Sequence, residues 1–367
     1  MTFRGINKIP AYAISICKTE LIRHMPWLYR FLPVKLRSAN VNVTDRCCFK
    51  CVMCNQWSNP AKNELSTDEW KDVFRQLKKM GVRRINISGG EPLLRSDIAE
   101  LIDFATSLGL GTTLLTNGFL LDEDKLQKLI ESGLDSISIS VDGVGAYFEK
   151  VRGFPGAYEK VEHACRSVSR ESQRGSIRAS VSFVLMKETA GYLKDVLDLR
   201  RSLRVPLAIN LADFTPYFFK GRKKEQFWID DPAAIAKVQE MLVSEKMKEP
   251  GSIILLYSEI DFIKHYFADP LQKRIPCIVS QERVCIDPEG SIFGGCWSGG
   301  SFGNVRDKSL HAIVHSPKYR ESHKRMFFKM CPGCSCGYSV NLRNFSQFVL
   351  QEVVFRMLPS YRKNISI

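Results

Sequence analysis

From residue 39 onward, one pattern recurs six times: a short β-rich run ends in glycine or polar residues, and a helical stretch follows. The runs are "ANVNVT", "RINISGG", "TTLLTNG", "SISISVDG", "IRASVSFVL" and "LAINLAD", each with the period-two alternation of a strand. The helices between them have readable ends. "STDEWKDVFRQLKKMG" opens with Ser66 and Glu69 in capping-box register and closes at Gly81. Strand alternating with helix six times requires right-handed crossovers, hence a parallel sheet covered by helices, with a closed or partly closed barrel favoured. Thr44, Gly89, Asn117, Ser140 and Asp142 fall at or just beyond the C-terminal ends of these strands, where βα units gather ligands.

The repeat spans residues 39–235 and sets the other boundaries. Residues 1–38 form a basic amphipathic segment. Residues 236–340 read as a second unit of short strand-like pieces, glycine and cysteine, and 341–367 as an amphipathic helix and tail. With 367 residues there is length for one large domain and an appendage. No run of eighteen apolar residues appears, and "IPAYAISIC" lacks a small-residue cleavage site, so the expectation is a cytoplasmic protein. The net charge of +14 is concentrated in the first 37 residues, near residue 220 and in the tail. It reads either as a solvated surface or as attraction to an anionic membrane or lipid-linked partner, which allows peripheral membrane contact. No basic stripe interleaved with aromatics crosses the strands, which argues against nucleic acid.

"DRCCFKCVMC", directly after the first strand, carries Cys47, Cys51 and Cys54 in C-x3-C-x2-C spacing, with Cys48 out of step and read as a packing residue. Three thiolates can hold three corners of a cubane iron-sulfur cluster and leave the fourth iron open. The competing zinc site needs a fourth ligand, and no histidine lies between His24 and His163. At the ends of the next strands come "SGGEP", "TNG" and "SVDG" in turn.

This series resembles the radical S-adenosylmethionine (SAM) superfamily over roughly residues 39–235. The resemblance implies an α/β fold built as a partial (β/α)6 TIM-like barrel. Cys47, Cys51 and Cys54 would then hold a [4Fe-4S] cluster whose open iron chelates SAM. Gly89, Gly90, Glu91 and Pro92 match the segment whose backbone receives the methionine ammonium, and a side chain there would block that approach. Ser140 and Asp142 match positions near the ribose. Arg152 resembles an arginine that helps hold the cofactor carboxylate, and Asn117 belongs to the same rim. Met53 stands where relatives often place an aromatic residue against adenine. One-electron cleavage of SAM would yield a 5'-deoxyadenosyl radical that takes a hydrogen from substrate, with a reductant such as flavodoxin or ferredoxin as partner.

A second cysteine group follows: Cys277, Cys285, Cys296, Cys331, Cys334 and Cys336. "VCIDPEGSIFGGC" reads as a hairpin with its turn at Pro288 to Gly290. Its position resembles the twitch or SPASM extension of the same superfamily, a small cysteine-rich α+β unit, though the pattern departs from the full seven cysteines. The resemblance implies one auxiliary [4Fe-4S] cluster on Cys277, Cys296, Cys331 and Cys334, with Cys285 and Cys336 as spare or alternative ligands. Structural zinc is the other reading. Four protein thiolates would close that site to substrate and suit it to accepting an electron, which favours net oxidation.

The expected activity is radical chemistry on a small or carrier-linked biosynthetic intermediate, anionic if the basic segments bear on it. Peptide modification is the alternative; it often goes with an N-terminal winged helix, for which residues 1–38 look too short. A non-enzymatic zinc or nucleic-acid-binding protein is the third reading.

Overall fold

The computed structural model describes residues 17–18, 20–58, 60–212, 224–269, 277 and 279–328. The expected tail helix and Cys331, Cys334 and Cys336 lie outside the described residues.

All six expected strands form: β1 (Ser38–Asn42), β2 (Arg84–Ser88), β3 (Gly111–Thr116), β4 (Ser136–Ser140), β5 (Arg178–Leu185) and β6 (Leu207–Leu211). Each pairs in parallel with its sequence neighbour. Among the described residues the α-helices of five residues or more are α1 (Thr67–Lys79), α2 (Ile98–Ser107), α3 (Glu123–Glu131), α4 (Gly145–Arg152), α5 (Tyr158–Arg174), α6 (Leu193–Leu203), α7 (Pro232–Lys248), α8 (Tyr257–Ala268), α9 (Leu310–Val314) and α10 (Pro317–Phe327). Helix α1 shows why the sequence was readable. The Ser66 hydroxyl accepts from the Glu69 N–H, and the Glu69 carboxylate accepts from the Ser66 N–H at 2.8 Å. Trp70, Val73, Phe74 and Leu77 then fall on one buried face, each such burial stabilising by about 1.5–3 kcal/mol.

The two faces of the sheet differ in chemistry. Ile85, Ile87, Leu114, Ile137, Ile139, Val181 and Phe183 are almost wholly buried and occupy one set of alternate positions. The other set carries small polar groups bonded from strand to strand: Asn86 to Asn40 at 2.9 Å, Thr113 to Ser136 at 2.8 Å and Ser180 to Ser138 at 3.0 Å. A closed TIM barrel fills its interior with bulky branched side chains. Here serine and asparagine leave room inside.

The second unit continues the same sheet. Strand β7 (Arg283–Ile286) pairs in parallel with β1 on the edge opposite β2, and β8 (Ser291–Phe293) and β9 (Ser301–Asn304) follow antiparallel. The order is β6-β5-β4-β3-β2-β1-β7-β8-β9, so the barrel is partial and β6 and β9 are its edges. The expected hairpin is therefore present and also covers the open edge of β1.

The expectation of strand-like pieces directly after residue 235 is not met, because α7 and α8 occupy that stretch. Asp231 caps α7 through Ala233 N–H at 2.8 Å, Pro232 fits its first turn, and Ile235, Val238 and Leu242 lie on its buried face. A buried ion pair ties α7 to α6, with Arg200 Nη1 3.0 Å from Glu245 Oε1. At the N-terminal segment Tyr29 turns inward against Phe327, while Trp27 and Phe31 are exposed. Among the described residues no helix is long and apolar enough to cross a membrane.

Candidate functional site

The loop after β1 is stitched to the loop after β2. Gly90 N–H donates to Thr44 O at 2.7 Å and Glu91 N–H to Arg46 O at 2.8 Å. A Cβ on Gly89 would lie 2.1 Å from Thr44 O, and one on Gly90 would lie 2.4 Å from Arg46 O. These glycines are thus required by the approach of two backbones, a reason different from the expected clearance for a ligand. Thr44, fully buried, donates its hydroxyl to Glu64 Oε1 at 2.6 Å and fixes the start of the cysteine loop.

The far side of the loop is held by α4. Lys50 and Val52 N–H donate to Arg152 and Val151 carbonyls at 3.2 and 2.9 Å. Between Cys47 and Cys51, Phe49 is buried against Phe119, Phe148 and Phe154. Cys47, Cys51 and Cys54 consequently line one cavity of about 660 Å³, together with Met53, Gly89, Gly90, Asn117, Ser140 and Arg152. Burial pushes the Cys51 thiol up to about 11, against the pull of Arg152, whose Nη1 lies 3.7 Å from its sulfur. Cys48 does more than pack. Asn117 Nδ2 donates to its sulfur at 3.4 Å, and a hydrogen bond with Cys47 brings its thiol down to about 7 while raising that of Cys47.

Two expected cofactor contacts are otherwise engaged. Asp142 is fully buried and does not line the cavity. Its Oδ1 accepts from Val184 N–H at 2.7 Å and its Oδ2 pairs with Arg152 Nη2 at 2.6 Å, so it holds the arginine. Glu91 is also fully buried, accepting from Thr116 Oγ1 and Asn117 N–H at 2.7 Å and from Leu93 N–H at 3.0 Å. It locks the end of β3 to the glycine loop. Neither Glu91 nor Pro92 lines the cavity, whereas Ser140 does, 3.3 Å from the Ser182 hydroxyl.

Cys277 is buried, and Cys296 shares the cavity with Cys285, which points from β7 toward the serine face. The spare cysteine is thus inside, and burial raises its thiol. Nearby, His323 and Tyr319 are buried, and neither ring nitrogen nor the phenol oxygen has a hydrogen-bond partner among the described residues. The Tyr319 phenol is pushed up by burial and by Cys285 and Cys296. Sequence reasoning missed these two, and also Ser138, Ser182, Asn210 and Arg283 in the cavity wall. The serines and Asn210 carried a signal: in "SISIS" and "AIN" the polar member of each alternation is the one that faces inward.

The donor sets suit the groups in question. Three thiols with no described imidazole among them, flanked by a buried guanidinium whose Nε has no hydrogen-bond partner among the described residues, fit a negatively charged sulfide cluster. Orphaned polar groups beside Cys285 and Cys296 fit a second polar occupant there.

Comparison with known proteins places the chain in a family. The model of the radical SAM superfamily matches residues 41–200, and that of an iron-sulfur cluster-binding domain, SPASM, matches residues 277–337. PqqA peptide cyclase of Rhizobium meliloti (strain 1021) is 29% identical over 80% of this chain and 76% of its own. The PqqA peptide cyclase of Gluconobacter oxydans (strain 621H) is 30% identical over 77% of each chain. Among solved structures, Streptococcus suis SuiB bound to S-adenosylmethionine superposes with a TM-score of 0.65 at 16% identity, over 85% of this chain and 76% of that one. SuiB bound to precursor peptide SuiA gives 0.63 at 17%, over 85% and 75%. The chain belongs to the radical SAM superfamily, as a [4Fe-4S] and SAM-dependent enzyme with a SPASM iron-sulfur domain.

Proposed function

We propose that this enzyme modifies a peptide, taking a hydrogen from it inside the partial barrel. The observation that carries the reading is similarity to peptide cyclases along about four fifths of the chain, through both the barrel and the cysteine-rich extension. It favours the peptide over the small or carrier-linked intermediate ranked first from sequence. The cavity agrees, since about 660 Å³ of polar-walled space runs from the cysteine loop to the α8 side chains Glu259 and Phe262.

Cys47, Cys51 and Cys54 would hold the cluster, which together with bound SAM supplies one-electron cleavage and a hydrogen-abstracting carbon radical. Arg152, held by Asp142, places positive charge beside Cys51. Gly89 and Gly90 present their backbone at the cavity wall, and Met53 offers a polarizable apolar surface there. Ser140 with Ser182 offers hydroxyls on the barrel side. The walls orient the reacting carbon and restrict water. The SPASM unit, with Cys277 and Cys296 as the candidate ligands among the described residues, would accept an electron in a net oxidation.

The test is isotope transfer. Anaerobic, reduced enzyme given SAM and a uniformly deuterated precursor peptide should release deuterated 5'-deoxyadenosine and a peptide of altered mass. Cys51→Ala should abolish both. Nucleoside release with label arriving only from a small metabolite would replace the peptide reading.

A further inference from the structure

The cavity continues past the cysteines along the serine face, and three charged side chains line it. Two are committed. Arg152 pairs with Asp142, and Glu259 accepts the Leu256 N–H at 2.7 Å at the start of α8. Arg283 has no ion-pair or hydrogen-bond partner among the described residues, and its Nε is buried. It opens β7 opposite Ser38 of β1, on the face that also presents Cys285 and Asn40. The cysteine loop begins beyond the other end of β1, four residues on, so Arg283 lies about 13 Å below the rim by strand rise.

A partly desolvated guanidinium with no acceptor is costly, and the cost is recovered when an anion arrives. Among the described residues, Glu259 is the one carboxylate in the cavity wall and it is engaged with Leu256 N–H; Asn40, Ser138, Ser182 and Asn210 are neutral hydrogen-bonding groups. A planar fork of donors matches a carboxylate with two parallel hydrogen bonds, which an ammonium does not.

We propose that Arg283 receives a carboxylate of the substrate at the floor of the cavity and so selects an acidic substrate segment. This rests on the cavity being the substrate site. Anchoring a charged end deep in the barrel leaves the atoms nearer the rim to face the cysteine loop, so Arg283 is a specificity and positioning residue and takes no part in bond breaking.

The experiment uses the full chain with its clusters loaded. Binding of Ac-Ala-Glu-Ala-NH2, its Gln counterpart, and glutarate is measured by NMR titration on the parent, Arg283→Gln and Arg283→Lys. The parent should bind the glutamyl peptide at least about tenfold more tightly than the glutaminyl one, Arg283→Gln should bind both alike, and Arg283→Lys should keep part of the preference. Glutarate binding as tightly as the glutamyl peptide names a free acid as sufficient; preference for the peptide alone names a peptide side chain. Equal binding of the two peptides by the parent, or a preference that survives in Arg283→Gln, overturns the proposal. So does a changed iron content or visible spectrum in Arg283→Gln, which would put the guanidinium on a cluster. Release of 5'-deoxyadenosine by the parent is read in parallel: its absence sinks the proposed function, while its presence without carboxylate preference sinks only the role of Arg283.

Discussion

Asp142 and Arg152 illustrate how far a residue's role depends on what surrounds it. Both are buried, and each is the other's ion-pair partner. Neutralising one member of a buried pair strands the other charge, so Asp142→Asn should lower unfolding free energy by about 3–5 kcal/mol in denaturant titration. It should also reduce iron per chain, because Arg152 would no longer be held beside Cys51. Gly90→Ala brings a methyl against Arg46 O, and iron incorporation should fall by more than about half as the two loops part. Far-ultraviolet circular dichroism should show the helices retained. The sequence exposed the cysteines, the glycines and Asn117 as site residues, since each stands at a strand end. It did not expose that Asp142 faces Val184 and Arg152 and is closed off from the cavity, because that depends on a strand neighbour 42 residues away.

Elements are coupled through a small number of charged contacts. Glu245 on α7 meets Arg200 and Arg201 on α6, and Glu245→Gln should cost about 3 kcal/mol, read as a lower denaturant midpoint with the slope unchanged. The cysteine loop meets the β7–β8 turn through an acidic cluster. There, burial, with Asp287, Glu64 and Glu289 adding to it, pushes Asp45 up to about 7 from 3.8. A carboxyl raised in the folded state favours folding at low pH and loses that contribution as pH rises through the folded value. Asp45→Asn should therefore gain stability relative to the parent between about pH 4 and pH 7 and then level off, as followed by melting temperature across that range. The strands and α1 were legible because period and caps agree. Helices α7 and α8 were not legible, because the strand-helix repeat stops before them and the glycine and cysteine content beyond suggested short strands.

At the scale of the molecule, the SPASM unit extends the barrel sheet beyond β1. β7 occupies the free edge of β1, Leu65 N–H donates to Pro288 O at 2.7 Å, and Arg306 grips Glu69 with Nε 2.6 Å from Oε1. Glu69 is drawn down to about 2 by this arginine and its own cap contacts. A chain truncated after Asp269 would expose the edge of β1, and light scattering should show it aggregating where the full chain stays monodisperse. Growth of a well-behaved monomer from that truncation would mean the barrel protects its edge by other means.

Chain order alone carries the local rules: six strand-helix repeats, the capping box of α1, the three-cysteine loop and the superfamily they point to. These are encoded within a few residues of one another, through periodicity, caps and ligand spacing. Tertiary pairing sets which face of each strand borders the cavity, that Asp142 supports Arg152, that the extension joins the sheet at β1, and that Arg283 lines the cavity without an ion-pair partner among the described residues. Those outcomes come from parallel pairing and burial between segments tens to hundreds of residues apart, and no local pattern specifies them.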